Sequence, residues 1–461
     1  MTVQNGDRVD VEYCEGWDPA VREASAPMPE SEARRRDASG EPYAVLLSSR
    51  AQPKALFQVD WHHGYLGLFL FDSEARRDRE YEYRQLDEGL LHLRRYRQWR
   101  PTAGSGPECV GTEPYFSMEI DPDGRARRIL NSDGSLHIGA DVPAEHHTVA
   151  KAEFGAWTAY VSGRMLGTAD PIALHPAAAP GAPVPGPRGT ALWTAPVPLQ
   201  PGDLEALFTS GTRLACKDGT AVVEEPARAG LLRLPTGSVT ARDPHPMCSA
   251  DQAFTVTVPP GDYPVLIATM KWEGMGWGET PAAMLRITDE PTVVWELALQ
   301  PGQDPRLLSR DEFYGFGVDT GTACFFDASG RDTLPELFKN RAQEARWDHE
   351  KGSCTVDDPV GGTNLIAYCS GHGDGSYPVW IGRSAEGSVT CFVADMLVVQ
   401  DGRPLPPALP GPVGCISPYA GRTSDRRTAP FTDPGSTSDF IEGRIADVVA
   451  FKEERQYNRF R

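Results

Sequence analysis

The chain is 461 residues long, more than one ordinary domain holds, and its 40% hydrophobic and 24% charged residues are globular usage that excludes a disordered chain. A net charge of -19 repels phosphate backbones and anionic bilayers, which sets aside nucleic acid and membrane as general partners. The nine cysteines are scattered without a C-x-x-C pair, against zinc ribbons and thioredoxin-like sites, and the longest apolar run, Tyr65 to Phe71, is far short of a membrane span.

Residues 1–40 are rich in Glu, Arg, Ala and Ser, with a weak helical run ending at Arg36, and read as a flexible arm. Met1 to Asp10 lacks the basic-then-apolar pattern of a secretory signal, so a cytoplasmic protein with reduced thiols is expected. Order is predicted from Tyr43, in strands at Tyr43 to Leu47, Ala55 to Asp60, Tyr65 to Phe71, Tyr81 to Arg84 and Leu90 to Arg97. Turn signals such as His63-Gly64 and Asp121-Pro-Asp-Gly124 separate short strands, the pattern of an antiparallel meander. Apolar residues at helical spacing predict a helix over Val149 to Val161, packed on that sheet.

The run Ala177-Ala-Ala-Pro-Gly-Ala-Pro-Val-Pro-Gly-Pro187 denies the backbone the donors that a sheet needs, so 171–190 is predicted to be a linker. Strands resume at Gly230 to Leu234, Ser238 to Ala241, Ala253 to Val258, Tyr263 to Lys271, Ala282 to Ile287 and Val293 to Leu299. Further strands follow at Phe316 to Asp319, Ala323 to Asp327, Thr363 to Cys369, Tyr377 to Gly382 and Val389 to Val399, interrupted by a helix over Leu334 to His349 that Asp332 or Thr333 would cap. The expected fold is mostly β with a few helices (α+β). An N-terminal antiparallel-sheet domain, 41–170, is followed by a C-terminal sandwich-like β domain, 191–401, and a poorly packed tail, 402–461.

The second domain carries several motifs in order: Leu234-Pro-Thr-Gly-Ser-Val239, Asp243-Pro244, Val258-Pro-Pro-Gly-Asp-Tyr-Pro-Val265, Ala283-Met-Leu-Arg286 and Trp295-Glu-Leu-Ala298. Phe313-Tyr-Gly-Phe-Gly-Val-Asp-Thr-Gly-Thr-Ala-Cys-Phe-Phe-Asp327, Ser370-Gly-His-Gly-Asp-Gly-Ser-Tyr-Pro-Val-Trp380 and Cys391-Phe-Val-Ala-Asp-Met396 complete the series. Over roughly 226–400 the chain resembles the bacterial domain-of-unknown-function family numbered 4241. The resemblance brings no catalytic residues with it. The first domain has the look of small bacterial immunity-type or interaction domains, without a motif that carries a match.

Asp319-Thr-Gly321 ends an apolar strand as the aspartic-protease motif does, but no second copy supplies the partner carboxylate, and the alternative is a turn in which Asp319 bonds local amides. Gly371-His-Gly-Asp-Gly375 is a glycine-rich loop that would expose His372 and Asp374, either with His372 an acid–base or metal residue beside Asp374 or as a plain wide turn. Asp319, Asp374 and Asp395, with Asp327, lie near strand ends and could hold a hard cation only if one sheet edge gathered them. Adjacent histidines in Asp60-Trp-His-His63 and Glu145-His-His147 point to opposite faces if on strands, so each pair offers at most one ligand to a given site.

His92 to Arg100 mixes cations with aromatics as single-strand binders do, yet Glu80, Glu82, Asp87 and Glu88 just upstream would pair with it across a hairpin, which favours a charge-paired solvent face. Trp272-Glu-Gly-Met-Gly-Trp277 suits either capping a sheet or gripping a partner, which marks Trp272 and Trp277 as interaction candidates. No cofactor fingerprint occurs; neither glycine cluster has the G-x-G-x-x-G spacing. The sequence therefore points to a non-enzymatic module that binds another protein, immunity-like or regulatory. A hydrolase or ligand-binding enzyme built on Asp319, His372 and Asp374 is the alternative.

Overall fold

Alternation begins earlier than composition suggests. In Arg8-Val-Asp-Val-Glu-Tyr13 every second residue is apolar, and a chain with that period lays one face on a core. The computed structural model describes residues 8–406 apart from 101–105, 107, 109, 111–113, 131–135, 138–139, 178–192, 218, 246–251, 276–277, 342–346, 349–351 and 401. The chain divides into two compact units, 1–198 with Arg306–Glu312, and 199–305 with 313–461.

In the first unit Arg8–Asp18 is a strand paired antiparallel with Tyr43–Ser49, and Val9 is fully buried. The loose arm expected over 1–40 is thus corrected for residues 8–40: polar residues on the outer face hid an inner face that the sheet buries. Helix Glu30–Ser39 follows and ends on Gly40, whose φ of 81° makes it a left-handed cap. From Tyr43–Ser49 the strands Gln52–Asp60, Tyr65–Phe71, Arg77–Asp87, Leu90–Gln98, Phe116–Ile120 and Arg125–Leu130 each pair with the next, the antiparallel meander read from the turn signals. Both faces are covered. Val9, Tyr43, Phe57, Leu68 and Trp157 share one cluster, while Cys14, Trp17, Leu56 and Phe69 share the other.

The predicted helix over Val149 to Val161 is not one helix. Thr148–Ala150 pairs as a strand with Leu90–Gln98, Trp157–Ala159 is a single 3-10 turn, and the short α-helix Gly163–Leu166 begins only after Val161. Its apolar residues do pack on the sheet, so the spacing reported burial rather than helix. The proposed linker begins too early as well: Ala173–Pro176 pairs in parallel with Arg8–Asp18, and the proline-dense residues 178–190 lie outside the described ones.

The second unit is two sheets around one core. The larger runs Val294–Leu297, Gly375–Arg383, Val389–Asp395, Gly278–Arg286, Gly261–Trp272, Gly219–Val223, Arg213–Cys216, Arg403–Pro404, with Ala227–Leu234 and Gly315–Val318 paired off that path. The smaller is Val239–Arg242, Thr322–Asp327, Asn364–Cys369, Ser353–Asp357. Leu232, Val265, Leu285, Ile381 and Phe392 of the one meet Val239, Phe325, Ile366 and Tyr368 of the other in a single apolar cluster, the sandwich-like packing expected. Of the predicted strands, Ala253 to Val258 makes only an isolated bridge, Thr257 to Ser238. Helix Leu334–Arg341 starts after Thr333, whose carbonyl accepts from the Leu337 amide while its hydroxyl donates to Asp358. The expected tail at 402–461 is corrected at its start, since Arg403–Pro404 pairs with Arg213–Cys216, and 407–461 lies outside the described residues. No helix among the described residues is long and apolar enough to cross a membrane.

Candidate functional site

The two glycine loops meet. Gly321 donates its amide to Oδ1 of Asp374 at 3.1 Å, and Ser370 donates its own to the Gly321 carbonyl at 3.3 Å, so the turns after Gly315–Val318 and after Asn364–Cys369 share one end of the unit. The acid that organises this end is Asp243. It is fully buried, and its Oδ2 accepts from the amides of Asp319 and Thr320 and from the Thr320 hydroxyl, each at 2.9 Å, while Oδ1 accepts from the His245 amide at 2.8 Å. A buried carboxylate with this many donors is an anchor for backbone. Asp243-Pro244 stood in the sequence as a motif, but nothing local marked it as the acceptor for a loop 76 residues away.

In the second loop Gly371 has a φ of 61°, and a Cβ there would stand 2.7 Å from Val398, so only glycine lets the chain pass. The Gly373 carbonyl accepts from the hydroxyls of Ser370 and Tyr377, both at 2.8 Å, and burial pushes the Tyr377 phenol up to about 12, which keeps it a donor at neutral pH. His372 stays exposed, its Nδ1 3.5 Å from Glu279. Glu279 also accepts from the Trp272 indole at 3.1 Å, and Trp272 itself is buried with Ala221 and Met270. That packing places Trp272 against the sheet; Trp277 lies outside the described residues.

Asp395 adjoins Met396, which borders Gly371, but takes no part in the hydrogen bonds of these loops given above. It is buried and lines a cavity of about 20 Å³ with Leu204, Leu207, Leu214 and Val399; its Oδ1 accepts from the Leu397 amide, and burial pushes its carboxyl up to about 6. Asp327 is consumed by Thr236 and Ser329, which donate amides and hydroxyls to it. Asp319, Asp374, Asp327 and Asp395 form no joint cluster: among the described residues no group of three or more His, Cys, Asp or Glu side chains could hold an ion.

These turns and anchors fall inside a stretch that known proteins share. Residues 232–394 match the family DUF4241. Its description is a protein of unknown function, and the match covers less than half of the chain. No curated protein and no solved structure matches. Within the DUF4241 stretch an edge strand faces outward. Val294–Leu297 is the last strand of the larger sheet, no described strand pairs with its outer edge, and Val293 and Val294 are 58% and 54% exposed. Beside it a cavity of about 250 Å³ is lined by Phe208, Met284, Arg286 and Trp295, with Asp289 and Glu290 at the same site.

Proposed function

We propose that the protein is a non-enzymatic interaction module of the bacterial cytoplasm, immunity-like or regulatory, that binds an extended basic segment of a partner protein along Val294–Leu297. The observation that carries this reading is the open edge itself. An unpaired strand edge is a template for a further strand, and two half-exposed valines beside an aromatic-lined cavity supply the side-chain contacts that such strand addition uses. Arg286 at the cavity pairs with Asp289, which leaves Glu205 and Glu290 there, with the net charge of -19, to favour lysine or arginine in the added strand. The hydrolase reading draws less support, since Asp374 already accepts from Gly321 and neither the 250 Å³ nor the 20 Å³ cavity is lined by Asp319, His372 or Asp374.

The test is fluorescence anisotropy of the whole chain with a labelled peptide of alternating valine and lysine. Binding should weaken at least about tenfold in Val294→Lys and fall again at about 0.5 M salt, where exposed charges are screened. It should be unchanged in His372→Ala. A peptide that binds the Val294→Lys variant as tightly as the parent, or binds neither, overturns the proposal.

A further inference from the structure

The first unit contains a cavity of about 550 Å³, within the range of small-molecule sites, and the function proposed for the second unit makes no use of it. Its walls come from the helix cap Ser39–Pro42, the hairpin turn after Gln52–Asp60, the segment Thr194–Val197, and Arg310. Pro42, Ala195 and Val197 make much of that wall apolar.

The turn Asp60-Trp-His-His63 is built to hold one imidazole. Asp60 is buried; its Oδ1 accepts the His63 amide at 3.1 Å and its Oδ2 stands 2.9 Å from Nδ1 of the same residue. A carboxylate oxygen accepts, so Nδ1 is the donor and the ring plane is fixed by Asp60; in the neutral ring Nε2 then carries the lone pair. The turn cannot drift: the Trp61 indole donates to Asp37 at 2.6 Å, Lys151 lies 3.8 Å over the Trp61 ring, and the His62 amide donates to the Gly40 carbonyl at 2.9 Å. Nε2 of His63 has no partner among the described residues.

The charges of the lining are unequal in what they leave over. Both Asp60 oxygens are taken by His63. Glu41 is held by the Arg35 guanidinium at 2.6 Å and 3.0 Å and by the Ser39 hydroxyl at 2.8 Å. Arg310 donates one N–H to the Thr194 carbonyl at 3.2 Å and pairs with no carboxylate among the described residues. The lining thus offers a cation with no carboxylate partner among the described residues, one oriented acceptor and an apolar body between, next to an Asp60 carboxylate that the His63 ring occupies by hydrogen bonds.

We infer that this cavity binds a small carboxylate with an apolar middle and a hydroxyl or amine at its far end. Arg310 takes the carboxylate through its remaining N–H groups, and Nε2 of His63 accepts from the far donor. Hydrogen-bonded ends around an apolar wall set length and polarity together, which is how such cavities select among similar acids.

The experiment is calorimetric titration of the whole chain with 4-hydroxybenzoate, alongside benzoate, which lacks the far donor, and 4-hydroxybenzyl alcohol, which lacks the anion. The hydroxy acid should bind more tightly than either control, Arg310→Gln should weaken it at least about tenfold, and His63→Phe should lower it to the level of benzoate. Asp60→Asn should give an intermediate loss, because the ring then holds its tautomer less firmly. Unfolding curves of each variant confirm the fold, and Val294→Lys, which disables the strand edge of the other unit, should leave this binding intact. Equal affinity for the three compounds, no binding of the hydroxy acid, or an Arg310→Gln variant that binds like the parent overturns the inference.

Discussion

Glu82 and Arg95 stand opposite each other on adjacent strands, Nη2 donating to Oε2 at 2.7 Å, and a bulge at Arg94 turns two consecutive arginines toward the same carboxylate. Arg84 donates to the other oxygen of Glu82 at 2.8 Å, and Glu312 pairs with both Arg94 and Arg95. The pairing across the hairpin was legible in the alternation of signs; its burial was not. Glu82 is 1% exposed, so this is an interior network and not the solvent face expected.

Glu82→Gln should therefore destabilise the first unit by about 3–5 kcal/mol, the usual cost of leaving buried charges without their counter-ion. Among the described residues Nε of Arg94 and Nε of Arg95 have no hydrogen-bond acceptor, and Nη1 of Arg94 reaches Glu82 only at 3.5 Å, which leaves little slack. Burial pushes the Glu82 carboxyl up, but Arg95, Arg94 and Arg84 pull it further down, to a net value far below the usual range. A depressed carboxylate contributes its stability above its unfolded pKa and loses it as pH falls through the folded one. In urea titrations the gap between parent and variant should thus be full at pH 7 and should close only in strong acid. A gap below about 1 kcal/mol at neutral pH would reduce the network to an ordinary surface pair.

Asp243→Ala should cost about 3 kcal/mol, because four donors from Asp319, Thr320 and His245 lose one buried acceptor. His372→Ala, at an exposed position, should stay within about 0.5 kcal/mol. Chemical denaturation of both variants decides whether this end of the sandwich is held from Asp243. If His372→Ala proves the costlier change, the anchor has been assigned to the wrong residue.

Strands with apolar residues on both faces, such as Tyr65–Phe71, announced themselves by hydrophobic density alone. Arg8–Asp18 was passed over because its period-2 signal sits in a polar stretch, where composition outweighed alternation. Val149 to Val161 shows the opposite error, since burial of Phe154, Trp157 and Tyr160 at near-helical spacing needs no helix when turns deliver the rings. At the candidate site the glycine loops were readable because glycine reports local backbone. Asp243 and Glu279 were not, because their partners are set by tertiary contacts.

The thiols should react in an order set by burial. Cys324 and Cys391 are buried, and burial pushes both thiols up, which suppresses the thiolate that attacks. Burial pushes the Cys369 thiol up as well, but that residue is only partly buried, as is Cys216. In a maleimide time course read by mass spectrometry, Cys216 and Cys369 should label before Cys324 and Cys391. Early labelling of Cys324 in the native protein would mean that the smaller sheet opens far more readily than its apolar packing allows.

Asp395 gives the clearest dependence on pH. Burial pushes its carboxyl from 3.8 to about 6. A raised folded pKa means that the group favours the fold while protonated: the contribution is complete below about 4 and is lost as pH rises through about 6. The shift corresponds to about 3 kcal/mol of penalty on the charged form. Asp395→Asn keeps an oxygen for the Leu397 amide, which Oδ1 now receives at 2.9 Å, while removing the charge. The variant should match the parent near pH 4 and exceed it in melting temperature at pH 8, with the two curves parting between those values. A variant that is less stable than the parent across the whole range would show that the folded state favours the carboxylate, and the indole of Trp380, which pulls the Asp395 carboxyl down against burial, is the group that would do so.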